Sequence, residues 1–286
     1  MPFHLTREDA EYPPLLREIH APPEHLWGEG DARVLSQGVC VAIVGARECT
    51  AYGEKAAFDF AKALVQVGVT VVSGLAYGID TAAPRGALEG GGKTVAVLGC
   101  GLDIPYPSEN LDLKRKIARS GAVITEFADG TEPAPWTFPQ RNRIISGLSR
   151  GVLVVEAGIK SGSLITAKLA LEQGREVFAL PGNIDSPMSA GTHRLIQNGA
   201  KLAATVYDIL EELNMHAAVV DRAKKVPEIS AEENEVLTLL SNGPRYMDEL
   251  VSISGFSVEK MSVLLMEMEL GGKIKSLPGS RFERIG

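Results

Sequence analysis

Arg141, Arg143 and Arg150 supply permanent cations, Phe138 supplies an aromatic face, and the loop Gly158-Ile159-Lys160-Ser161-Gly162-Ser163 follows close behind them. Guanidinium groups match the oxygens of a phosphate, and a glycine between two serines lets backbone and hydroxyls approach one closely. An aromatic ring nearby offers a stacking surface to a base. Together these groups suit a phosphate-linked, base-bearing chain. Taken singly, each has a plainer reading: Gly-Ser loops commonly cap helices, arginines are usually solvated, and an aromatic beside proline more often packs in a core. Their convergence between Trp136 and Leu171 is what points to a binding site.

Such a site must be held by regular elements. Gly151 to Ala157 is a short Val-rich run, as expected of a strand buried on both faces of a parallel sheet. Leu164 to Gln173 places Leu164, Ala167 and Leu171, and also Ile165 and Leu169, at helical spacing. The loop therefore meets a helix N-terminus, where unpaired N–H groups and the helix dipole favour an anion. The same alternation starts at Val39, with strands at VCVAIVG, VTVVSG, TVAVLG, AVITE and EVFALPG and helices over 54–67, 79–89, 110–120 and 206–213. It predicts an α/β fold, an extended Rossmann-like parallel sheet with helices on both faces. Ligands of such sheets sit at the carboxyl ends of the strands. Here those ends read Gly45-Ala46-Arg47, Ser73-Gly74-Leu75-Ala76-Tyr77-Gly78, Gly99-Cys100-Gly101, Glu126, Glu156-Ala157-Gly158 and Pro181-Gly182. Neither of the first two turns is G-x-G-x-x-G, so NAD is not expected, and no other cofactor is implied.

The words F-P-x-R-N-R-I-I-x-G-L-S, from Phe138 to Ser149, and S-G-S-L-I-T-A, from Ser161 to Ala167, resemble the DNA-processing protein A family, also called Smf. The likeness extends to V-G-A-R ending at Arg47, S-G-L-A-Y-G-I-D from Ser73, G-L-D-I-P-Y-P-S-E-N from Gly101 and G-T-H-R-L-I-Q-N-G-A from Gly191, and so covers nearly the whole chain. The resemblance implies a single-stranded DNA-binding protein, not an enzyme, that protects incoming strands during natural transformation and helps load the RecA recombinase. It implies that Arg47 stands at bound single-stranded DNA; with the residues read above, the expected DNA contacts are Arg47, Ser73, Gly74, Phe138, Arg141, Asn142, Arg143, Lys160, Ser161, Gly162, Ser163 and Thr166. The chain departs from the family pattern at Ala46 in place of serine, Pro84 in place of histidine, and His193 where asparagine is frequent. Ser108 and Glu109 stand where a basic residue often follows the Tyr-Pro turn. Tyr106 in that turn has two open readings, stacking on a base or packing beside Pro105 and Pro107.

The chain of 286 residues is 45% hydrophobic, enough for one large domain and a small one. The expected divisions are a lead-in over 1–38 packed on the main domain, a Rossmann-like DNA-binding domain over 39–215, a linker over 216–228 and a winged-helix domain over 229–286. The net charge of −7 argues against a wide basic surface coating nucleic acid. Residues 1–38 carry 3 Arg/Lys against 7 Asp/Glu and residues 226–286 carry 6 against 10, so an anion site belongs in the middle. Three cysteines, Cys40, Cys49 and Cys100, lack metal-ligand spacing, and no metal is implied. No apolar run approaches the roughly 20 residues that span a bilayer, which places the chain in the cytoplasm with no membrane partner.

In the small domain, Ser230 with Glu233 forms a capping-box pattern, and the candidate recognition helix carries Glu259, Glu267 and Glu269 against Lys260. Protein contact or packing fits it better than DNA. Leu195 and Ile196 on a short helix, with Leu202 just after, are expected to form an apolar patch that pairs two copies as a homodimer; the alternative is that the helix from Val206 to Leu213 covers them. Two rival functions remain: a nucleotide-processing enzyme of the phosphoribohydrolase type, with Glu126 and Glu156 as candidate acids, and an adaptor acting through the winged helix.

Overall fold

The computed structural model describes residues 1–215, 230–270, 273–277 and 281–285, and the chain separates into two compact units, Met1–Val220 and Asp221–Gly286. The linker expected over 216–228 lies outside the described residues.

The larger unit is built on parallel strands β3 (Cys40–Val44), β4 (Thr70–Ser73), β5 (Thr94–Val97), β6 (Ala122–Thr125), β7 (Gly151–Val154), β8 (Glu176–Ala179) and the two-residue β9 (Lys201–Leu202). Every residue of β3 to β7 is buried, which is why these strands read as continuous apolar runs. Two further strands, β1 (Pro2–Thr6) and β2 (His25–Gly30), are antiparallel and extend the sheet past β6, with Trp27 opposite Thr125. The sheet order is β1-β2-β6-β5-β4-β3-β7-β8-β9. The lead-in does more than lie on the main domain, since it supplies two strands of the sheet. Its proline-rich middle, including the short α1 (Pro14–Arg17), folds around Tyr12, which is fully buried and donates its hydroxyl to the Pro23 carbonyl at 2.7 Å.

Helices α2 (Ala51–Gln66), α3 (Ile79–Glu89) and α8 (Val206–Glu212) cover one face of the sheet over Val41, Ile43, Val71 and Leu153, and α4 (Leu111–Ser120) continues that layer. The opposite face, with Val44, Val72, Val97 and Val154, is covered by α5 (Thr137–Leu148), α6 (Ser163–Glu172) and the α1 segment, with Leu195 of α7 (Ala190–Gln197) packed at its margin. Chain order explains a crevice. From β3 the chain steps through β4, β5 and β6 in one direction, then returns by α5 to β7 on the other side of β3. The connections leaving β3 and β7 diverge, and their carboxyl ends open a gap where such sheets take ligands.

Pro84 lies inside α3, which starts at Ile79 and runs through it to Glu89, and it is buried with Ala82, Ala83 and Ala87. It stands in the second turn, where its missing N–H forgoes one helical bond. In the smaller unit, α9 (Ala231–Leu239), α10 (Met247–Ser254) and α11 (Val258–Leu270) pack with a three-stranded sheet of β10 (Arg245–Tyr246), β12 (Arg281–Arg284) and β11 (Ile274–Leu277), around Val236, Leu250, Met261 and Leu265. Glu233 and Ser230 exchange bonds at 3.0 Å, closing the capping box. Among the described residues, no helix is long and apolar enough to cross a membrane.

Candidate nucleic-acid interface

The crevice between β3 and β7 holds a cavity of about 320 Å³ lined by Val44, Gly45, Arg47, Ala76, Asp80, Phe138, Pro139, Arg141, Asn142, Ile145, Ser161, Gly162, Ser163, Ile165 and Thr166. Phe138, Arg141, Asn142 and Ile145 are spaced i, i+3, i+4 and i+7, so one stripe of α5 forms one wall. Pro139 sits in the first turn of that helix, where its missing N–H costs no helical bond. The loop from Gly158 and the start of α6 form the facing wall, and the turn after β3 brings Arg47 between them.

Arg47 is exposed and lies with its guanidinium carbon 4.8 Å from the centroid of the Phe138 ring. Its loop is tightly held. Ala46 N–H donates to the Glu156 carbonyl at 2.8 Å, and Ile79 N–H donates to the Ala46 carbonyl at 3.2 Å. Gly78, at φ 68°, lies so close that a Cβ would fall 2.4 Å from the carbonyl oxygens of both Ala46 and Arg47. Only glycine fits both that conformation and that space.

The floor is a buried cation. Arg141, 3% exposed, donates through Nη1 to the carbonyls of Gly74, at 2.6 Å, and Val97, at the ends of β4 and β5. Asp80 accepts from Gly74 N–H at 3.2 Å, and a Cβ on Gly74 would meet both Arg141 and Asp80 at 2.4 Å. Burial pushes the Asp80 carboxyl up, and the nearby Arg141 charge opposes that shift. Burial likewise lowers Arg141, with Asp80 opposing. Leu75, next in this loop, is fully buried at φ 55°, a left-handed conformation that costs a non-glycine residue about 1 kcal/mol or more. Its carbonyl is held by Asn110 Nδ2 at 3.1 Å, which pins the Tyr106 to Asn110 turn to the same loop.

At the start of α6, Ser161 and Ser163 share a hydroxyl–hydroxyl bond of 2.8 Å around Gly162, which has open space where a Cβ would stand. The N-terminal dipole of α6 therefore faces the cavity beside Arg47, an arrangement that attracts an anion. Tyr106 and Phe138 have ring centroids 5.7 Å apart at 44°, so Tyr106 extends the aromatic surface.

Of the residues expected at DNA, the fold brings Arg47, Phe138, Arg141, Asn142, Ser161, Gly162, Ser163 and Thr166 to one cavity. It takes others elsewhere. Ser73 is fully buried and donates to the Ile43 carbonyl at 2.8 Å, because its side chain falls on the inner register of β4. Gly74 belongs to the floor beneath Arg141. Arg143 is two positions beyond Arg141, hence on another side of α5, where Nη1 and Nη2 grip Glu126 at 2.7 and 2.6 Å. Lys160 is exposed outside the cavity lining. Ile145 was not singled out from the sequence, although its i, i+7 spacing from Phe138 was the available signal; Asp80, legible there only as a cap candidate in the S-G-L-A-Y-G-I-D turn, bonds Gly74 in the floor instead. Glu156 is 2% exposed, and its carboxylate accepts from Thr50 N–H at 2.8 Å and Thr50 Oγ1 at 2.7 Å at the start of α2. Burial pushes the Cys40 thiol up to about 12, an unreactive state at neutral pH.

Leu195 and Ile196 are half-buried and Leu202 is 45% exposed. Helix α8 packs Ile209 and Leu210 on the opposite face of the sheet from Leu195, so it does not cover that residue.

A model of the family described as DNA recombination-mediator protein A matches residues 3–214, and one of the DprA winged helix domain matches 220–280. The chain is 41% identical over 285 residues to Protein Smf of Escherichia coli, a match covering 96% of this chain and 76% of that protein. It is 46% identical over 203 residues to DNA processing protein DprA of Bacillus subtilis, covering 71% and 68%. Among solved structures it is similar to DNA processing protein A from Streptococcus pneumoniae, with TM-score 0.71 and 45% identity over 73% of this chain and 74% of that one. It is also similar to DNA processing protein A from Helicobacter pylori, solved for its single-stranded DNA binding mode, with TM-score 0.68 and 30% identity over 76% and 97%.

Proposed function

Because the chain belongs to the DNA recombination-mediator protein A family, we propose that it binds single-stranded DNA in the β3–β7 crevice. In this reading it protects incoming strands during natural transformation and helps load the RecA recombinase, acting in the cytoplasm without chemistry of its own. The observation that carries the proposal is the exposed Arg47 guanidinium over Phe138, opposite the serine-flanked start of α6. A phosphate fits between Arg47 and the Ser161-Gly162-Ser163 backbone, and a base stacks on Phe138. The Helicobacter pylori relative's single-stranded DNA binding mode supports the same choice of ligand. Asn142 and Thr166 line the same space, with Lys160 at its margin.

The test is a salt titration. Arg47→Ala is expected to weaken binding of oligothymidine and to lower the slope of log K against log salt by about 0.7, the share of one phosphate contact on a single strand. An unchanged slope removes the pocket assignment. Single strands are expected to bind more tightly than duplex, because exposed Glu259 on α11 opposes entry into a major groove. The phosphoribohydrolase reading is less well supported, since Glu156 is consumed at the start of α2 and Glu126 is paired with Arg143. Nucleoside monophosphate hydrolysis by the purified chain would restore it.

Pairing of two copies through Leu195, Ile196 and Leu202 belongs to the same proposal, supported by the exposure of Leu202 and by the seating of α8 on the other sheet face. Two linked sites would hold one long strand with greater avidity than either alone. Ile196→Glu is expected to sediment as a folded monomer, whereas a wild-type monomer at tens of micromolar ends the dimer reading.

A further inference from the structure

The aromatic surface at Phe138 does not stop at the cavity. Tyr106 follows at 5.7 Å, and Tyr77, 40% exposed, adjoins Gly78, which packs against the Arg47 backbone, and reaches the same turn as Tyr106 through Glu109. This row suits successive bases, but it ends on an acid. The Tyr77 hydroxyl donates to Glu109 Oε2 at 2.9 Å, and the Ser108 hydroxyl donates to the same oxygen at 3.0 Å. These bonds, together with the residue's own backbone N–H, hold the Glu109 carboxyl below the usual range, so it is an anion at neutral pH. The turn that carries it cannot easily swing away, because Asn110 is buried and bonded to the Leu75 carbonyl at 3.1 Å and to Thr81 Oγ1 at 2.8 Å. Beyond lies a recess lined by Arg85, Glu89, Glu109, Asp112 and Lys116, in which acids outnumber bases.

Resting on the single-strand reading, we infer that Glu109 is an electrostatic stop: the strand occupies the Arg47–Phe138 cavity and the Tyr106 edge, and its backbone is turned to solvent at Tyr77. Glu109 therefore sets how many nucleotides one copy holds. Oligonucleotides that end before the stop do not feel it, and those long enough to run past it gain nothing from their extra length.

The experiment measures fluorescence anisotropy of the full chain with labelled oligothymidines lengthened one nucleotide at a time from three to ten, in the wild type, Glu109→Gln and Glu109→Lys. Wild-type affinity is expected to level off at a short length. Glu109→Gln should match it at the shortest lengths and bind the longer strands about threefold more tightly, the size of one unit repulsion removed at about 6 Å in a water-like dielectric. Glu109→Lys should gain roughly tenfold on the longer strands and add about 0.7 to their salt slope. Curves for Glu109→Gln that superimpose on the wild type at every length, or that rise equally at every length, overturn the stop while leaving the binding site intact. Absence of binding by the wild type overturns the underlying function instead, and tight binding by Arg47→Ala with an unchanged slope moves the strand out of this crevice.

Discussion

Arg143 and Arg47 are both arginines near the crevice, yet the structure expects opposite behaviour when each is truncated. The Arg143 side chain is 17% exposed and the Glu126 side chain 9%, and two parallel N–H···O bonds of 2.6 and 2.7 Å join them. In Arg143→Ala the Glu126 carboxylate keeps, among the described residues, only the Gln140 side-chain amide, at 3.3 Å. Removing one partner of a buried pair typically costs 3–5 kcal/mol; with some solvent reaching Arg143, about 3 kcal/mol is expected. For a unit of roughly 200 residues that corresponds to a fall of roughly 6–12 °C in the thermal midpoint. Scanning fluorimetry of the larger unit's transition reads it directly. Oligothymidine affinity, measured well below the midpoint, should keep the wild-type salt slope, because Glu126 already neutralises this charge. Glu126→Leu with Arg143→Met should recover most of the midpoint, since an apolar pair of similar volume leaves no orphaned charge. A variant Arg143→Ala with an unaltered midpoint and a flattened salt slope would refute this account and return Arg143 to the DNA.

Phe138→Ala should lose about 1–3 kcal/mol of single-strand affinity with little change in salt slope; a fallen midpoint with intact affinity would make the ring a packing residue instead. Gly74→Ala should lower both stability and binding, because the new Cβ would stand 2.4 Å from Arg141 and Asp80; near-native melting would mean that the floor can shift. Asp208 caps α8 through the Thr205 backbone N–H and hydroxyl, and these bonds lower its pKa. Asp208→Ala should cost about 1 kcal/mol at pH 7. Because the folded-state value is depressed, the contribution is whole above the unfolded value of 3.8 and fades as pH falls below it, so wild type and variant should converge in urea melts at low pH.

How far the sequence could be read depended on whether structure was written locally. The helix Ile79–Glu89 and the buried strands were legible because apolar periodicity within a few residues specifies them. The start of α6 was legible because loop chemistry and helical spacing adjoin. Helix α5 was not seen as a helix, since Pro139 reads as a breaker unless it falls in the first turn. That omission matters: without the helix, Arg141 and Arg143 look alike, and only the 100° step per residue separates a floor from an ion pair. Strands β1 and β2 were hidden among prolines because their partner, β6, lies far along the chain. Ser73 shows the converse error, a polar strand-end residue whose side chain the sheet turns inward.

Arg141 has a consequence for the speed of binding. It ties α5, and with it Phe138, to the carbonyl ends of β4 and β5, while the Glu156 carbonyl and the Ile79 N–H separately hold the Arg47 loop. On the single-strand reading, the strand meets crevice walls that are already set and displaces only the Arg47 side chain, so association should run at the rate of productive encounter, falling as salt rises, with single-exponential progress and no lag. On that reading most of the ordering cost falls on the DNA, and stiffening the nucleic acid is the way to tighten the complex.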